Sequence, residues 1–307
     1  MKEDEPFVIK AATSKRFTVF KLEGMVWEII PSEKALSKES AFCLSKINHQ
    51  QSVSEHIDPP IGLENTVVNV RRTMSTLVSV ITPTRLKENR MEWFIELNKS
   101  IREQDAEHVV VVDREDKPVL PSEIEATVLY PQKVVGQAVS RNLAIKSSHG
   151  SYITSADDDD IIPPNSIKSR LQGILDAPEA KWSCGYLSDL RGAELSLWEH
   201  KAKPGFYSPG EIAQLWEYPL DEFPLPPTGM LVEKNSLLSA GGWGGLGQGE
   251  DFFMVLAVTN RFSGVVVEDV VYHYRKHTEQ MMNTPDFDLL EEASREFCYN
   301  VSKAYNS

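Results

Sequence analysis

Two runs of this chain, Leu77-Val-Ser-Val-Ile81 and Val109-Val-Val-Val112, are apolar or small throughout, and they limit the fold more than any other feature. A strand with one solvated face alternates apolar and polar residues. A strand apolar along its whole length is buried on both faces, as in a parallel sheet covered by helices on either side. The intervening segments fit. Met91, Phe94, Ile95, Leu97 and Ile101 fall at helical spacing, which predicts a helix over about residues 88–103. Thr127–Tyr130 predicts a third strand, Val135–Ser147 a second helix, and Tyr152-Ile153 a short buried strand. Strand, helix, strand, helix, strand is the doubly wound α/β pattern, whose ligands sit beyond the carboxyl ends of the strands. Here those ends are Thr82-Pro83-Thr84, Asp113 and the turn Asp157-Asp158-Asp159-Asp160.

Four adjacent carboxylates repel one another, and crowding raises their pKa values unless a cation sits among them. A strand end with alternate carboxylates on one side suits a hard divalent ion whose remaining positions go to substrate phosphates. The alternative is a solvated acidic turn, the commoner fate of a charge run. The apolar strand leading into the run favours the metal.

Formal net charge is -13, with 32 basic and 45 acidic side chains, which argues against a general nucleic-acid binder. An anionic small substrate stays open, because a bound metal reverses the local field. Cys43, Cys184 and Cys298 are far apart and odd in number, a poor disulfide framework, and the acidic start is unlike a signal peptide. No apolar run reaches the length of a membrane span. A cytoplasmic protein is the expectation.

Residues 1–73 differ in texture from the remainder of the chain, with β-leaning runs at Phe7-Val-Ile, Phe17-Thr-Val-Phe and Met25–Ile30, then a polar stretch with a short helix around Ser37–Ile47. They read as an accessory extension, either a homo-oligomer or acceptor-side contact or a cover for the sheet edge. After Pro164 a helix to about Asp176 and a strand at Trp182–Leu187 are expected. Residues 191–227 read as a long irregular stretch of the kind that covers substrate. Thr228–Val232 returns to strand. Gly241–Gly249 is a glycine-rich turn opening a helix at Glu250-Asp251, and Val265–Tyr274 is a last strand interrupted by Glu268-Asp269. Residues 286–307 form a helical tail.

From Val78-Ser-Val-Ile-Thr-Pro-Thr84 onward, the text resembles a family 2 glycosyltransferase of the GT-A fold, over about residues 76–282. The matching pieces are Leu97, Ser100-Ile101 and Gln104 ahead of the strand ending in Asp113, Ser140-Arg141-Asn142 before Gly150-Ser-Tyr-Ile, and Asp157–Asp160 ahead of Pro164. Gly241-Gly-Trp243 followed by Glu250-Asp251, and the closing Tyr-Arg-Lys-His277, complete the order. The resemblance implies a Rossmann-like, single mixed, mostly parallel sheet flanked by helices, as a catalytic domain over residues 74–285. It also implies a nucleotide-sugar donor, UDP-linked by default, inversion at the anomeric carbon, and Mn²⁺ or Mg²⁺ on the leaving diphosphate.

The same resemblance assigns the residues. Asp159 is the metal ligand, with Asp157 on the ribose or the metal through water, Asp158 at the variable middle position and Asp160 bracing the turn. His273 or His277 supplies the third ligand or faces the diphosphate; both are open, and a lone histidine after a strand is also commonly structural. Asp251 is the general base and Glu250 its support, although an acid at a helix start stabilises the helix dipole whether or not it does chemistry. Pro83, Thr84 and Arg85 at the first strand end, and Asp113 at the second, meet the nucleotide. Arg141 reaches the diphosphate or ties its helix to the acidic turn. Trp243 stacks on a sugar or plugs the glycine turn. The family's usual Asp-Asp-Gly-Ser is here Asp113-Arg-Glu-Asp-Lys, which leaves base specificity open. The acceptor is a hydroxyl on a small molecule, glycan or peptide. Two other readings share the sheet: a non-catalytic sugar-nucleotide-binding or assembly protein, and a nucleotidyltransferase, which would need a glycine-rich loop where Thr82-Pro-Thr-Arg-Leu-Lys stands.

Overall fold

The computed structural model describes residues 77–198, 200–220, 222–280 and 287–305. The accessory extension, with its expected hairpin, helix and oligomer contact, lies outside the described residues. In chain order the elements are β1 (Val78–Thr84), a single 3-10 turn (Glu88–Arg90), α1 (Met91–Arg102), β2 (Glu107–Val112), β3 (Thr127–Leu129), α2 (Gln137–Ser147) and β4 (Tyr152–Ser155). Next come α3 (Ser166–Asp176), β5 (Trp182–Arg191), β6 (Glu194–Trp198), β7 (Gly205–Tyr207), α4 (Glu211–Gln214), β8 (Leu231–Glu233), α5 (Lys234–Ser239), α6 (Glu250–Thr259), β9 (Gly264–Arg275) and α7 (Phe287–Tyr305).

The strands form one sheet in the order β3-β2-β1-β4-β8-β5-β9-β7, with β6 paired to β5. β1 is parallel to β2 and β4, β2 to β3, and β5 to β9. β8 runs antiparallel between β4 and β5, so the sheet is mixed and mostly parallel through its first half.

The apolar strands divide their residues between two faces, as their period requires. Ile81, Val109, Val111 and Ile153 pack with Ala144 and Ile145 of α2 and Met254 and Leu256 of α6. Val80, Val110 and Val112 pack with Phe94, Leu97 and Ile101 of α1 and Ile167 and Ile174 of α3. Each such side chain contributes about 1.5–3 kcal/mol by leaving water. Arg170 of α3 is fully buried below the sheet and donates to Thr154 Oγ1 (2.8 Å) and the Gly229 carbonyl (2.7 Å), fixing the helix after the acidic turn.

One expectation changes and two gain detail. Residues 191–227 are not one irregular stretch: β6 completes a hairpin with β5, β7 pairs with β9, and α4 comes after it. All five β6 residues are exposed, so burial imposes no pattern there for the sequence to show. β9 runs on through the exposed Glu268-Asp269, but its pairing with β5 shifts register there, between Val266 and Val270, so the expected interruption survives as an irregularity of the ladder. The tail helix α7 packs on the body: Cys298 is fully buried, and Tyr299 meets Trp216 with ring centroids 5.5 Å apart. Cys184 and Cys298 are free thiols.

Candidate active site

The acidic turn leaves β4 at the middle of the sheet, and β9 holds it in shape. The Tyr272 hydroxyl donates to Asp160 Oδ2 (2.8 Å) and accepts from the Asp157 amide (3.0 Å). The Arg275 amide donates to Asp160 Oδ1 (2.7 Å), and Arg275 Nε to the Asp159 carbonyl (2.7 Å). Asp160 is thus fully buried and spent on the scaffold, as a brace. Burial, then repulsion from Asp159 and Asp157, pushes its pKa well above the usual carboxylate range. Burial keeps the Tyr272 phenol protonated, and so a donor.

The other three carboxylates face cations and donors. Asp157 Oδ1 accepts from Arg141 Nη2 at 2.9 Å. Asp158 Oδ2 accepts from Thr84 Oγ1 at 2.5 Å, and its Oδ1 lies 3.4 Å from Arg90 Nη1. Asp159 Oδ2 is 2.9 Å from Arg90 Nη1 and 2.8 Å from His277 Nε2. Burial, with Asp159 adding repulsion, pushes Asp158 up to about 6; burial also raises Asp157 against the pull of Arg141. This is a turn under electrostatic stress that positive charge relieves.

Arg141 is the link to the second half of the site. Buried on α2, it donates Nη2 to Asp157 and Nη1 to Glu250 Oε1 (2.6 Å), while Nε reaches Ser155 Oγ at 3.2 Å. Burial works against its charge, but Asp157, Glu250 and Asp251 outweigh that and hold it firmly protonated. Asp251, half-buried beside this pair, has its pKa pushed up to about 6 by burial first and by Glu250 second. The start of α6 is placed by Gly249, whose φ of +73° favours glycine and whose added Cβ would lie 2.9 Å from Ser294 Cβ of α7.

The remaining predicted residues divide. His277 sits on the turn. Its Nδ1 accepts from the Glu279 amide (3.2 Å), which assigns the proton to Nε2 and makes the ring a donor to Asp159. His273 lies on the face of β9 opposite Tyr272, where its ring bonds Ser188 Oγ at 2.5 Å. The structure therefore brings His277 to the carboxylates and leaves His273 on Ser188. Asp113 is buried at the end of β2, and its oxygens accept from the Val135 (2.7 Å) and Gly136 (2.9 Å) amides, tying down the entry to α2. Pro83 and Thr84 are buried at the end of β1, whereas Arg85 is exposed. Trp243 is buried and bonded through its backbone to Asn142, with its ring centroid 5.9 Å from the Arg141 guanidinium. Arg90 and Tyr272 were invisible to sequence reasoning, because neither sits in a motif and their contacts span 68 to 115 residues.

Among the described residues no group of three or more His, Cys, Asp or Glu forms a ready cage for a metal ion. The donor set offered is one or two hard carboxylate oxygens, Asp159 and Asp157. That fits a divalent ion held largely by substrate phosphates. A cavity of about 370 Å³ lies behind the turn by Gln104, Ile162 and Lys168, and none of the four carboxylates lines it.

The mixed, mostly parallel sheet flanked by helices is a GT-A fold. Among solved structures the chain is similar to S. aureus TarS 1-349 in complex with UDP-GlcNAc, at 18% identity and a TM-score of 0.53, covering 74% of this chain and 72% of that one. Another TarS 1-349 structure matches at 19% identity and a TM-score of 0.49, over 64% of this chain and 60% of that one; the chain spans only that share of its length. The mannosyltransferase PcManGT from Pyrobaculum calidifontis, in complex with GDP-Man and Mn²⁺, matches at 13% identity and 0.45, over 75% and 73%. No curated protein sequence matches. Residues 79–208 match the model described as glycosyl transferase family 2. Over that stretch the chain is similar to family 2 glycosyltransferases.

Proposed function

We propose that the chain is a metal-dependent, inverting glycosyltransferase, moving a sugar from a nucleoside-diphosphate donor, UDP-linked by default, to a hydroxyl of a small molecule, glycan or peptide. One observation carries this reading: the Arg141 guanidinium binds Asp157 of the acidic turn with one arm and Glu250, beside Asp251, with the other. A donor seated on the turn then has its sugar within reach of the start of α6.

In this reading Asp159 and Asp157 hold Mn²⁺ or Mg²⁺. When bound, the ion supplies Lewis-acid stabilisation to the departing diphosphate. His277 presents its Nε2–H on the diphosphate side, a role that His273 is turned away from. Asp251 takes the acceptor's proton, and a pKa of about 6 leaves it ionised, yet basic enough, near neutral pH. Glu250, pinned by Arg141, raises the basicity of Asp251 by repulsion. Pro83 and Thr84 edge the nucleotide site, and Asp113 shapes it by fixing the loop before α2. No helix among the described residues is long and apolar enough to cross a membrane.

Thermal unfolding of the full chain with Mn²⁺ and UDP-, dTDP- or GDP-sugars tests the donor assignment. One nucleotide class should raise Tm by roughly 5 °C at about a hundred times its Kd. The rise should vanish with chelator and in Asp159→Asn. Absence of stabilisation by every class, metal present, contradicts the assignment.

A further inference from the structure

Arg90 has no part in the proposed reaction, yet it holds the carboxylate assigned there to the metal. Its Nη1 lies 2.9 Å from Asp159 Oδ2 and 3.4 Å from Asp158 Oδ1, and its Nη2 donates to the Glu279 carbonyl at 2.5 Å. Its Nε is buried and has no hydrogen-bond partner. The guanidinium is therefore held at its tip by acid and carbonyl, and its stem end has no bond to lose on leaving. Asn89, next to it, bonds the Glu279 side chain, so the segment carrying His277 is fastened to the same short turn.

Arg90 and His277 both sit on Oδ2 of Asp159, so a dication taken up by this carboxylate arrives beside the guanidinium. It brings two positive charges to within a few ångströms of a third. Guanidinium and dication repel one another on the same carboxylate, so each weakens the hold of the other.

We propose that Arg90 is a built-in counter-cation for the acidic turn, which occupies Asp158 and Asp159 in the donor-free protein and competes with the divalent metal for Asp159. The turn then stays neutralised while empty, and bound metal displaces the guanidinium, leaving it close to where the donor's diphosphate arrives. This rests on the assignment of Asp159 as the metal ligand.

The test is a Mn²⁺ titration of the full chain without nucleotide, read by loss of the free-ion electron paramagnetic resonance signal. Arg90→Gln should bind Mn²⁺ roughly tenfold tighter than wild type. Arg90→Met, which keeps the aliphatic stem, should show the same gain if Gln impairs folding, and Arg90→Lys should stay near wild type. Unchanged or weaker binding in both neutral variants, with binding still abolished by Asp159→Asn, overturns the competition and leaves the metal ligand standing. Binding that survives Asp159→Asn overturns both.

Discussion

At the scale of single residues, burial decides what each carboxylate can do. Asp160 is enclosed with two donors and serves as scaffold, while Asp251 is half-buried and poised near neutrality. The folded chain keeps the Asp251 proton up to about 6, while an unfolded chain releases it near 3.8. Stability therefore declines as pH rises through that window and loses nothing further above it. Asp251→Asn should raise the unfolding free energy from urea denaturation at pH 7 by on the order of 1 kcal/mol after solvent screening, and the gain should disappear below pH 4. Activity should run the opposite way, with kcat/KM falling as pH drops through about 6. A flat profile across that range, or no gain in the Asn variant, contradicts the perturbed carboxyl. The residues were partly legible beforehand. The sequence offered Arg141 two roles, and its contacts tie its helix to the acidic turn; it left His273 and His277 level, and they part because His277, beyond the end of β9, reaches Asp159 while His273 bonds Ser188. Arg90 left no local trace, because a lone cation after a strand says nothing about which acid it meets.

Among the elements, those whose burial follows a simple period were readable, and the rest were not. β1 and β2 announced themselves as uninterrupted apolar runs because both their faces are covered. β6 was missed since it is exposed throughout, and β7 and α4 because three or four residues carry no period. The start of α6 was legible as a glycine-rich turn before Glu-Asp, but the reason for glycine at position 249 was not: it is the backbone sign together with the approach of α7. Gly249→Ala should cost about 1 kcal/mol for the φ alone, and more for the contact with Ser294. Because the helix start must shift to relieve it, turnover should drop more than donor binding. A variant matching wild type in both, by denaturation and by assay, would show that α7 does not set the position of Asp251.

For the whole molecule, the residues that match the family model end at 208, while Glu250, Asp251 and His277 all lie beyond it. What joins the two parts is tertiary: one buried guanidinium and the β9 scaffold beneath the turn. We propose residues 74–285 as the catalytic domain, 1–73 as an accessory extension, and the helical tail as a support packed on α6 through Cys298 and Arg295, whose guanidinium lies 4.7 Å from the Phe252 ring centroid. The central claim is that acidic turn and α6 start serve one reaction from opposite ends of a sugar. The most direct measurement compares Asp251→Asn with wild type for release of nucleoside diphosphate and for donor binding, both with Mn²⁺. The account predicts donor binding within about twofold of wild type and turnover lower by roughly 10²–10⁴. Turnover equal to wild type in a variant that still binds donor would contradict it.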